Sequence, residues 1–373
     1  MYIQALWTTG SDSTDPNTDL ASIGPDDTLY RDVVVIGGGS SGTYTAVRLG
    51  DYNKTVAIVE KKDFLGGHAE TYVDPNTGYT IDIGVINTSE YVDFSTGKTL
   101  NYTPPSSEAF DTALSFVAKY NLSDMVPQTF ITNQGYVPIL NISMLYMIKY
   151  LNSDQINSFV QGFLTTSHHN TQELYQKVTA FLGSDVLLNS TVLSMNRSGN
   201  GPVQVLVQTP AGRKLIIAKK LVSTPPPRLA SLGGYDLSED ETALFSQLSA
   251  NGYYTGILNN TGFTGLTQVY YGSPAVLPEE DVKADILATV KRIQEARGIS
   301  TENTPDWLAF SSHVPFNLMV SNDAIRDGFL KKLFALQGRR HTFYNGAAWH
   351  TQDSSVLWRF TEDYVLPIIL ASL

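Results

Sequence analysis

Four consecutive β-branched residues, Val33 to Ile36, run into Gly37–Gly38–Gly39, and small and apolar residues follow from Ser40 to Leu49. A continuous apolar run bounded by glycine predicts a buried parallel strand, and the residues behind it predict a helix opening at about Ser40. A second apolar run, Val56 to Val59, predicts the next strand and ends in Glu60. Tyr79 to Gly84 alternates as a further strand. From Asn101 to Ser107 the chain reads as a Pro-rich loop, and from there to about Lys149 the period turns helical, in SSEAFDTALSFVAKY and SMLYMIKYL. Asn170 is placed to cap a helix, NTQELYQKVTAFLG, that Gly183 would close. Strands are expected at Val186 to Met195, Val203 to Gln208 and Lys214 to Ile217, with Gly199–Asn200–Gly201 and Ala211–Gly212 as turns. The strand KKLVST follows and stops at Pro225–Pro226–Pro227. Beyond this meander, Glu239 to Ser249 reads as helix, Tyr253 to Leu258 and Thr267 to Tyr271 as strands, and Glu279 to Arg297 as a long amphipathic helix ending at Gly298. Thr342 to Ala348 reads as a strand, His350 to Ser354 as a loop, and Ser355 to Leu370 as an apolar-faced helix with N-cap candidates in Asp353, Ser354 and Ser355. Residues Met1 to Tyr30 are polar and are expected to form an extended arm before the first strand.

The glycines after the first strand change the picture from architecture to chemistry. Gly37, Gly39 and Gly42 fall on the G-x-G-x-x-G spacing. The first suits a tight turn, the second lets the backbone approach a pyrophosphate, and the third lets helix and strand pack closely. Free N–H groups at the positive end of the helix then hold the pyrophosphate. Glu60 ends the second strand at the distance where ribose hydroxyls need an acceptor. Strand, glycines, helix, strand and terminal acid together predict a dinucleotide site. At this level NAD(P), FAD and a tight turn without ligand all stay open.

Composition then removes several classes. The net charge of −11 argues against nucleic acid or an anionic membrane surface as a main partner. The longest apolar stretch, Tyr136 to Leu151, is broken by Asn141 and Lys149 and predicts no transmembrane segment. Cysteine is absent, which excludes disulfides, thiolate metal sites, a Cys nucleophile and a cysteinyl flavin bond. Asparagine sequons stand at Asn53, Asn87, Asn101, Asn121, Asn141, Asn189, Asn196 and Asn259. Chance would give about three in a chain of this length, so the density points to the secretory pathway, with a cytoplasmic protein as the alternative. MYIQALWTTGSDSTD has no basic n-region and no long apolar core, so any signal peptide is expected to have been removed or never present.

GGGSSGTYTA with Glu60, LGGHAETY after it, TIDIG, the Val186 to Thr224 meander ending in TPPP, and the closing NGAAWHTQDSSVLW resemble the FAD-dependent amine-oxidase superfamily. The GGH variant, HVPF at His313 to Phe316 and LQGRRHTFYNGAAW are most similar to fungal β-cyclopiazonate dehydrogenase-like flavoproteins. The resemblance implies an α/β fold: a discontinuous Rossmann-like FAD-binding domain with a β-meander, plus an inserted α+β substrate domain. It implies an arm over 1–30, an FAD domain over 31–105, 167–231 and 336–373, and a substrate domain over 106–166 and 232–335. FAD is the cofactor it implies. Gly37, Gly39 and Gly42 would line the pyrophosphate, Glu60 would take the adenosine ribose, and Gly66 and Gly67 would lie along the ribityl-phosphate side; Ser41 and Lys61 count among the cofactor-binding residues, and His68 would either face the flavin or bond a phosphate oxygen. Val192 matches the position whose backbone meets the adenine. Ala348, Ser354 and Ser355 would fall near the isoalloxazine, with the last helix aiming its N-terminus at N1 and O2, where reduced flavin is negative. Two departures stand out: His68 replaces an arginine common in relatives, and the chain is shorter than the family usually runs, notably around NYTPPSSEAF.

For chemistry the resemblance implies an FAD-dependent oxidoreductase, in which a small organic substrate, of the kind found among fungal secondary metabolites, loses a hydride from a C–N or activated C–H site to flavin N5. A redox-neutral flavin-dependent double-bond isomerase and a flavin-binding protein without turnover are the alternatives. His350, His313 and His68 are the candidate catalytic side chains, because imidazole titrates near neutrality. His168, His169 and His341 read as surface or structural residues, and no set of residues has metal-ligand spacing. Tyr253–Tyr254 and Tyr270–Tyr271 suit either an aromatic pocket wall or half-buried strand packing.

Overall fold

The computed structural model describes residues 23–84, 112–126, 135, 137–150, 158, 161–162, 164–302 and 304–373. Residues 1–22 of the expected arm, the Pro-rich loop and the sequons at Asn87 and Asn101 lie outside them.

Strand β1 (Thr28–Ile36) is followed by helix α1 (Ser40–Asp51) and strand β2 (Val56–Val59). A short hairpin, β3 (Thr71–Val73) and β4 (Thr80–Asp82), precedes two short helices, α2 (Ala113–Lys119) and α3 (Met144–Tyr150). Helix α4 (Gln172–Leu182) leads to β5 (Val186–Leu187), β6 (Thr191–Asn196), β7 (Val203–Thr209) and β8 (Gly212–Ser223). Helix α5 (Glu239–Phe245), β9 (Ser249–Ala250), β10 (Gly252–Asn259), β11 (Thr267–Ser273), α6 (Glu279–Ala296), β12 (Asp306–Ser312) and β13 (Leu318–Met319) come next. The chain closes with α7 (Asn322–Arg326), α8 (Phe329–Phe334), β14 (Thr342–Tyr344), α9 (Ser354–Phe360) and α10 (Leu366–Ser372).

The main sheet runs β5-β2-β1-β8-β7-β6, with β14 paired to the far end of β8. β1 lies parallel to both β2 and β8 and is covered on both faces, which is why its valines form an unbroken run. Val33 and Val35 enter one core cluster with Leu49, Ile58 and Phe343, while Val34 and Ile36 enter the opposite one with Val59, Val205 and Ile216. Each such side chain contributes roughly 1.5–3 kcal/mol of transfer free energy. A second, antiparallel sheet, β11-β10-β12, is backed by α6, whose Val282, Ile286 and Val290 meet Tyr254 and Leu258 at helical spacing. This sheet is anchored on the β3–β4 hairpin. Gln268 Nε2 donates to the Asp82 carbonyl at 2.9 Å, and Thr255 Oγ1 donates to the Ile83 carbonyl.

Several expected boundaries move, each for a physical reason. The first strand starts at Thr28, inside the expected arm, because Thr28 to Arg31 already pair with Leu215 to Ala218. Lys214 to Ile217 and KKLVST form one strand, β8, paired with β1 along its length. The expected strand Val186 to Met195 divides, since the Asn189 and Ser190 N–H groups turn away to the Lys62 and Glu60 carbonyls. The helix from Glu239 stops at Phe245 and the chain re-enters a bridge with β13. β14 ends at Tyr344, before a turn in which Gly346 has φ 113°. The closing helix carries a π turn over Thr361–Val365, ahead of Pro367, which has no N–H to continue the ladder. Asn170 does cap α4, accepting the Glu173 N–H at 3.0 Å, and Gly183 closes the helix with φ 57°. No helix among the described residues is long and apolar enough to cross a membrane.

Candidate active site

A cavity of about 930 Å³ lies where the two sheets meet. Its wall includes Gly37, Gly39, Ser41, Glu60, Lys61, Gly66, Gly67, His68 and Val192 from the first half of the chain. His313, Phe316, Ala348, Asp353 and Ser354 come from the second half. Gly42, Ser355 and His350 do not line it.

The glycine loop owes its shape to close backbone contacts. A Cβ on Gly37 would meet Thr224 Oγ1 at 2.4 Å, and one on Gly42 would meet the Gly37 carbonyl oxygen at 2.0 Å. A Cβ on Gly39 would find only Gly67 Cα, at 3.9 Å, so that position borders open cavity. The second glycine pair is stitched to the first loop by the Gly66 N–H, which donates to the Gly38 carbonyl at 2.8 Å. Gly66 and Gly67 take φ of 118° and 63°, and a side chain on Gly66 would strike Tyr175 at 2.9 Å. These features form a cradle that only glycine leaves empty, beside a helix N-terminus suited to a pyrophosphate.

The Glu60 side chain is buried and already accepts two backbone N–H groups, Gly38 at 2.6 Å on Oε2 and Lys62 at 2.8 Å on Oε1. A carboxylate has about four lone-pair sites, so both oxygens keep capacity for ribose hydroxyls. The acid therefore shapes the loop as well as facing the cavity.

At the far end, Asp353 is the cap of α9. Its Oδ1 accepts from Ser355 N at 2.9 Å, Val356 N at 3.2 Å and Ser355 Oγ at 2.6 Å, while its carbonyl accepts from Leu357 N at 2.9 Å. Three of the first helical N–H groups are thereby used, and the Ser355 hydroxyl turns to Asp353 and not to the cavity. Ser354 and Ala348 remain on the wall.

The three candidate histidines separate. His68 and His313 lie edge to face, with ring centroids 4.9 Å apart, and Phe316 and Tyr253 complete an aromatic wall. Burial pushes His68 down to about 3, with the nearby His313, Lys62 and Lys61 acting in the same direction. Burial likewise lowers His313. His350 sits behind the wall against Phe360 and is lowered to about 4, by burial first and then by Lys149 and Arg359. All three rings are neutral at pH 7. The sequence reading missed the supports beneath this wall. Glu70 holds Ser311 and Lys62 Nζ, the latter at 2.5 Å, and Asn251 receives the Asn317 N–H at 2.8 Å. Glu70 was visible as a polar residue directly behind the GGH run; Asn251 had no local signal.

Comparison with known proteins adds a lineage to this geometry. A family model for NAD(P)-binding Rossmann-like domains matches residues 35–93, and one for flavin containing amine oxidoreductases matches residues 85–315. The FAD-dependent oxidoreductase oblC of Cochliobolus heterostrophus is 34% identical, covering 93% of this chain and 92% of the relative. Beta-cyclopiazonate dehydrogenase of Aspergillus flavus is 31% identical over 90% and 92%. The oblC alignment spans 447 positions against a chain of 373 residues, so stretches of that relative have no counterpart here. Among solved structures, a CLA-producing fatty acid isomerase from P. acnes matches with a TM-score of 0.70 at 17% identity, over 90% of this chain and 98% of that one. A putrescine oxidase matches with a TM-score of 0.60 at 16% identity, over 92% and 100%. Both share the fold.

Proposed function

We propose that this chain, which belongs to the flavin-containing amine oxidoreductase family and is an FAD-dependent oxidoreductase, oxidises a C–N or activated C–H site of a small organic molecule held against its aromatic wall, a hydride leaving from carbon to the flavin and a proton leaving to solvent. The observation that carries this reading is that one cavity joins the glycine cradle and Glu60 to the Tyr253, His313 and Phe316 side. FAD, when bound, supplies a two-electron acceptor at its isoalloxazine N5. Gly37 and Gly39 would hold its pyrophosphate, Gly67 would lie along its ribityl-phosphate side, and Glu60 would take its adenosine ribose. Val192 would meet the adenine, and Ala348 and Ser354 would stand near the isoalloxazine.

The chain's own contribution is orientation and exclusion of water. Tyr253 and Phe316 are 4.8 Å apart and, with His68, present flat apolar faces to a planar substrate. The name of one relative makes a cyclopiazonate a first substrate to test. The purified protein should be yellow and should bleach anaerobically with its substrate from a panel of amines and aromatic metabolites, giving a product lighter by two hydrogens. A product of unchanged mass would replace this reading with double-bond isomerisation. A colourless protein that takes up no added FAD would end both.

A place in the secretory pathway is part of the same proposal. Of the six described sequon residues, Asn53, Asn121, Asn141, Asn189 and Asn259 are exposed and Asn196 is half-buried, so five are open to a glycan, which supports it. Protein from a eukaryotic host should gain mobility on endoglycosidase digestion, and unchanged mobility would count against it.

A further inference from the structure

We propose that Gly135 is a specificity-determining residue of the cavity: by leaving its Cβ position to the Phe316 ring, it keeps the substrate end wide enough for a flat, fused ring system. The inference rests on the reading above only in taking the cavity as the substrate site.

Gly135 and Phe316 both border the cavity. A Cβ on Gly135 would fall on Cε1 of the Phe316 ring and lie 2.9 Å from its Cδ1 and Cζ. Packed side chains do not come that close, so an alanine here would force something to move. The backbone at residue 135 lies outside the left-handed region, so conformational freedom is not what the position requires. What it supplies is the space of a missing methyl group, and the Phe316 ring occupies that space.

Asn251 decides which part would move. It is fully buried, and its Nδ2 donates to the Gly135 carbonyl at 2.5 Å and to the Val137 carbonyl at 3.3 Å. Its Oδ1 accepts the Asn317 N–H at 2.8 Å, and its backbone carbonyl accepts the Phe316 N–H at 3.0 Å. One residue thus holds both sides of the contact, and parting them would strand buried polar groups. Gln352 Nε2 adds a bond to the Phe316 carbonyl at 2.5 Å. With both backbones held, the ring is the part that must yield. It stacks on His68 with centroids 6.1 Å apart, meets Tyr253 at 4.8 Å, and packs on the cluster of Ala113, Ile139, Ile142 and Met147. Close-packed neighbours of this kind transmit strain and do not absorb it. The cavity is the side with room, and a ring pushed into it narrows the substrate end. A methyl group at residue 135 should therefore shut out a broad molecule while a narrow one still enters.

The test is calorimetric titration of the protein, with and without FAD, with 2-naphthol and phenol as probes, which share a hydroxyl and differ by one fused ring. Gly135→Ala should weaken 2-naphthol about tenfold and phenol much less. In a Phe316→Ala background the same substitution should cost nothing, because the ring it displaces is gone. A Gly135→Ala protein that fails to fold alone but folds together with Phe316→Ala would support the contact in the same way. The proposal is overturned if the wild-type protein does not bind 2-naphthol, if Gly135→Ala binds it as tightly as wild type, or if both probes lose affinity equally. It is also overturned if the loss, or a failure to fold, persists without the Phe316 ring. None of these readouts depends on turnover, so a protein that fails to bleach with any substrate would refute the oxidoreductase chemistry separately.

Discussion

Trp358 Nε1 donates to Ser40 Oγ at 2.9 Å, joining the closing helix to the first residue of α1 across 318 positions of sequence. The indole also stacks on Tyr44, with centroids 5.1 Å apart and planes 9° from parallel. The two helix N-termini that border the cavity are therefore fixed to each other. Trp358→Phe should keep the stack and lose the bond, at about 1 kcal/mol of stability and a several-fold loss in FAD affinity. Urea titration and flavin fluorescence would measure both, and unchanged FAD affinity would separate this tie from the cofactor site.

Gly39→Val should abolish flavin binding while the chain still folds. The Cβ position at residue 39 borders the cavity with no atom nearer than 3.9 Å, so the new side chain would fill ligand space and not protein space. Its φ of −69° is open to any residue. Gly42→Val differs, because its Cβ would collide with backbone at 2.0 Å, and that variant should lose the fold itself. Flavin content and circular dichroism of the two variants distinguish the cases.

The parts legible in the sequence were those written in local spacing. The apolar run of β1, the glycine intervals, Glu60 and the turns of the meander each lie within a few residues of one another. What could not be read is built across distance. β12 carries apolar residues on both faces, Trp307 and Ala309 against Leu308 and Phe310, so no alternation marks it. The pairing of His68 with His313 depends on the second sheet docking on the β3–β4 hairpin, which no local pattern encodes. The cap of α9 was narrowed to three residues, and only Asp353 has an acceptor that reaches two N–H groups at once.

Arg197 is another feature without a local signal. It is fully buried, and it binds Asp236 through Nε at 2.6 Å and Glu241 through Nη1 at 2.8 Å, with Tyr344 and Thr342 beside it. The network ties β6 to α5 and β14, and so sets the loop that carries Asn345 to Ala348 along the cavity. Arg197→Met would leave Glu241 buried with its bonds from the Ser238 N–H and the Tyr344 hydroxyl but with Arg340, at 3.4 Å, as the one cation still beside it among the ion pairs of the described residues. A destabilisation of about 3–5 kcal/mol is expected. Adding Glu241→Gln should restore part of it, and a double-mutant cycle with no coupling would show that the ion pair is not the source.

Three histidines whose pKa values are depressed make stability depend on acid. His350 is held near 4 in the folded chain, against an ordinary value of 6.5. Its pKa is depressed, so the unfolded state binds the proton first and stability falls as pH drops below about 6.5, levelling off below about 4. Between pH 7 and pH 5 this one ring should remove about 2 kcal/mol. His68, lowered to about 3, and His313 act in the same direction. His350→Phe keeps the ring contact with Phe360, lies off the cavity wall and cannot take up a proton on unfolding. Its urea stability should therefore fall less steeply than wild type between pH 7 and pH 5, by about 2 kcal/mol. Equal slopes for the two proteins would mean that His350 is not desolvated in the native state, and the acid sensitivity would then have to come from the pair at the aromatic wall.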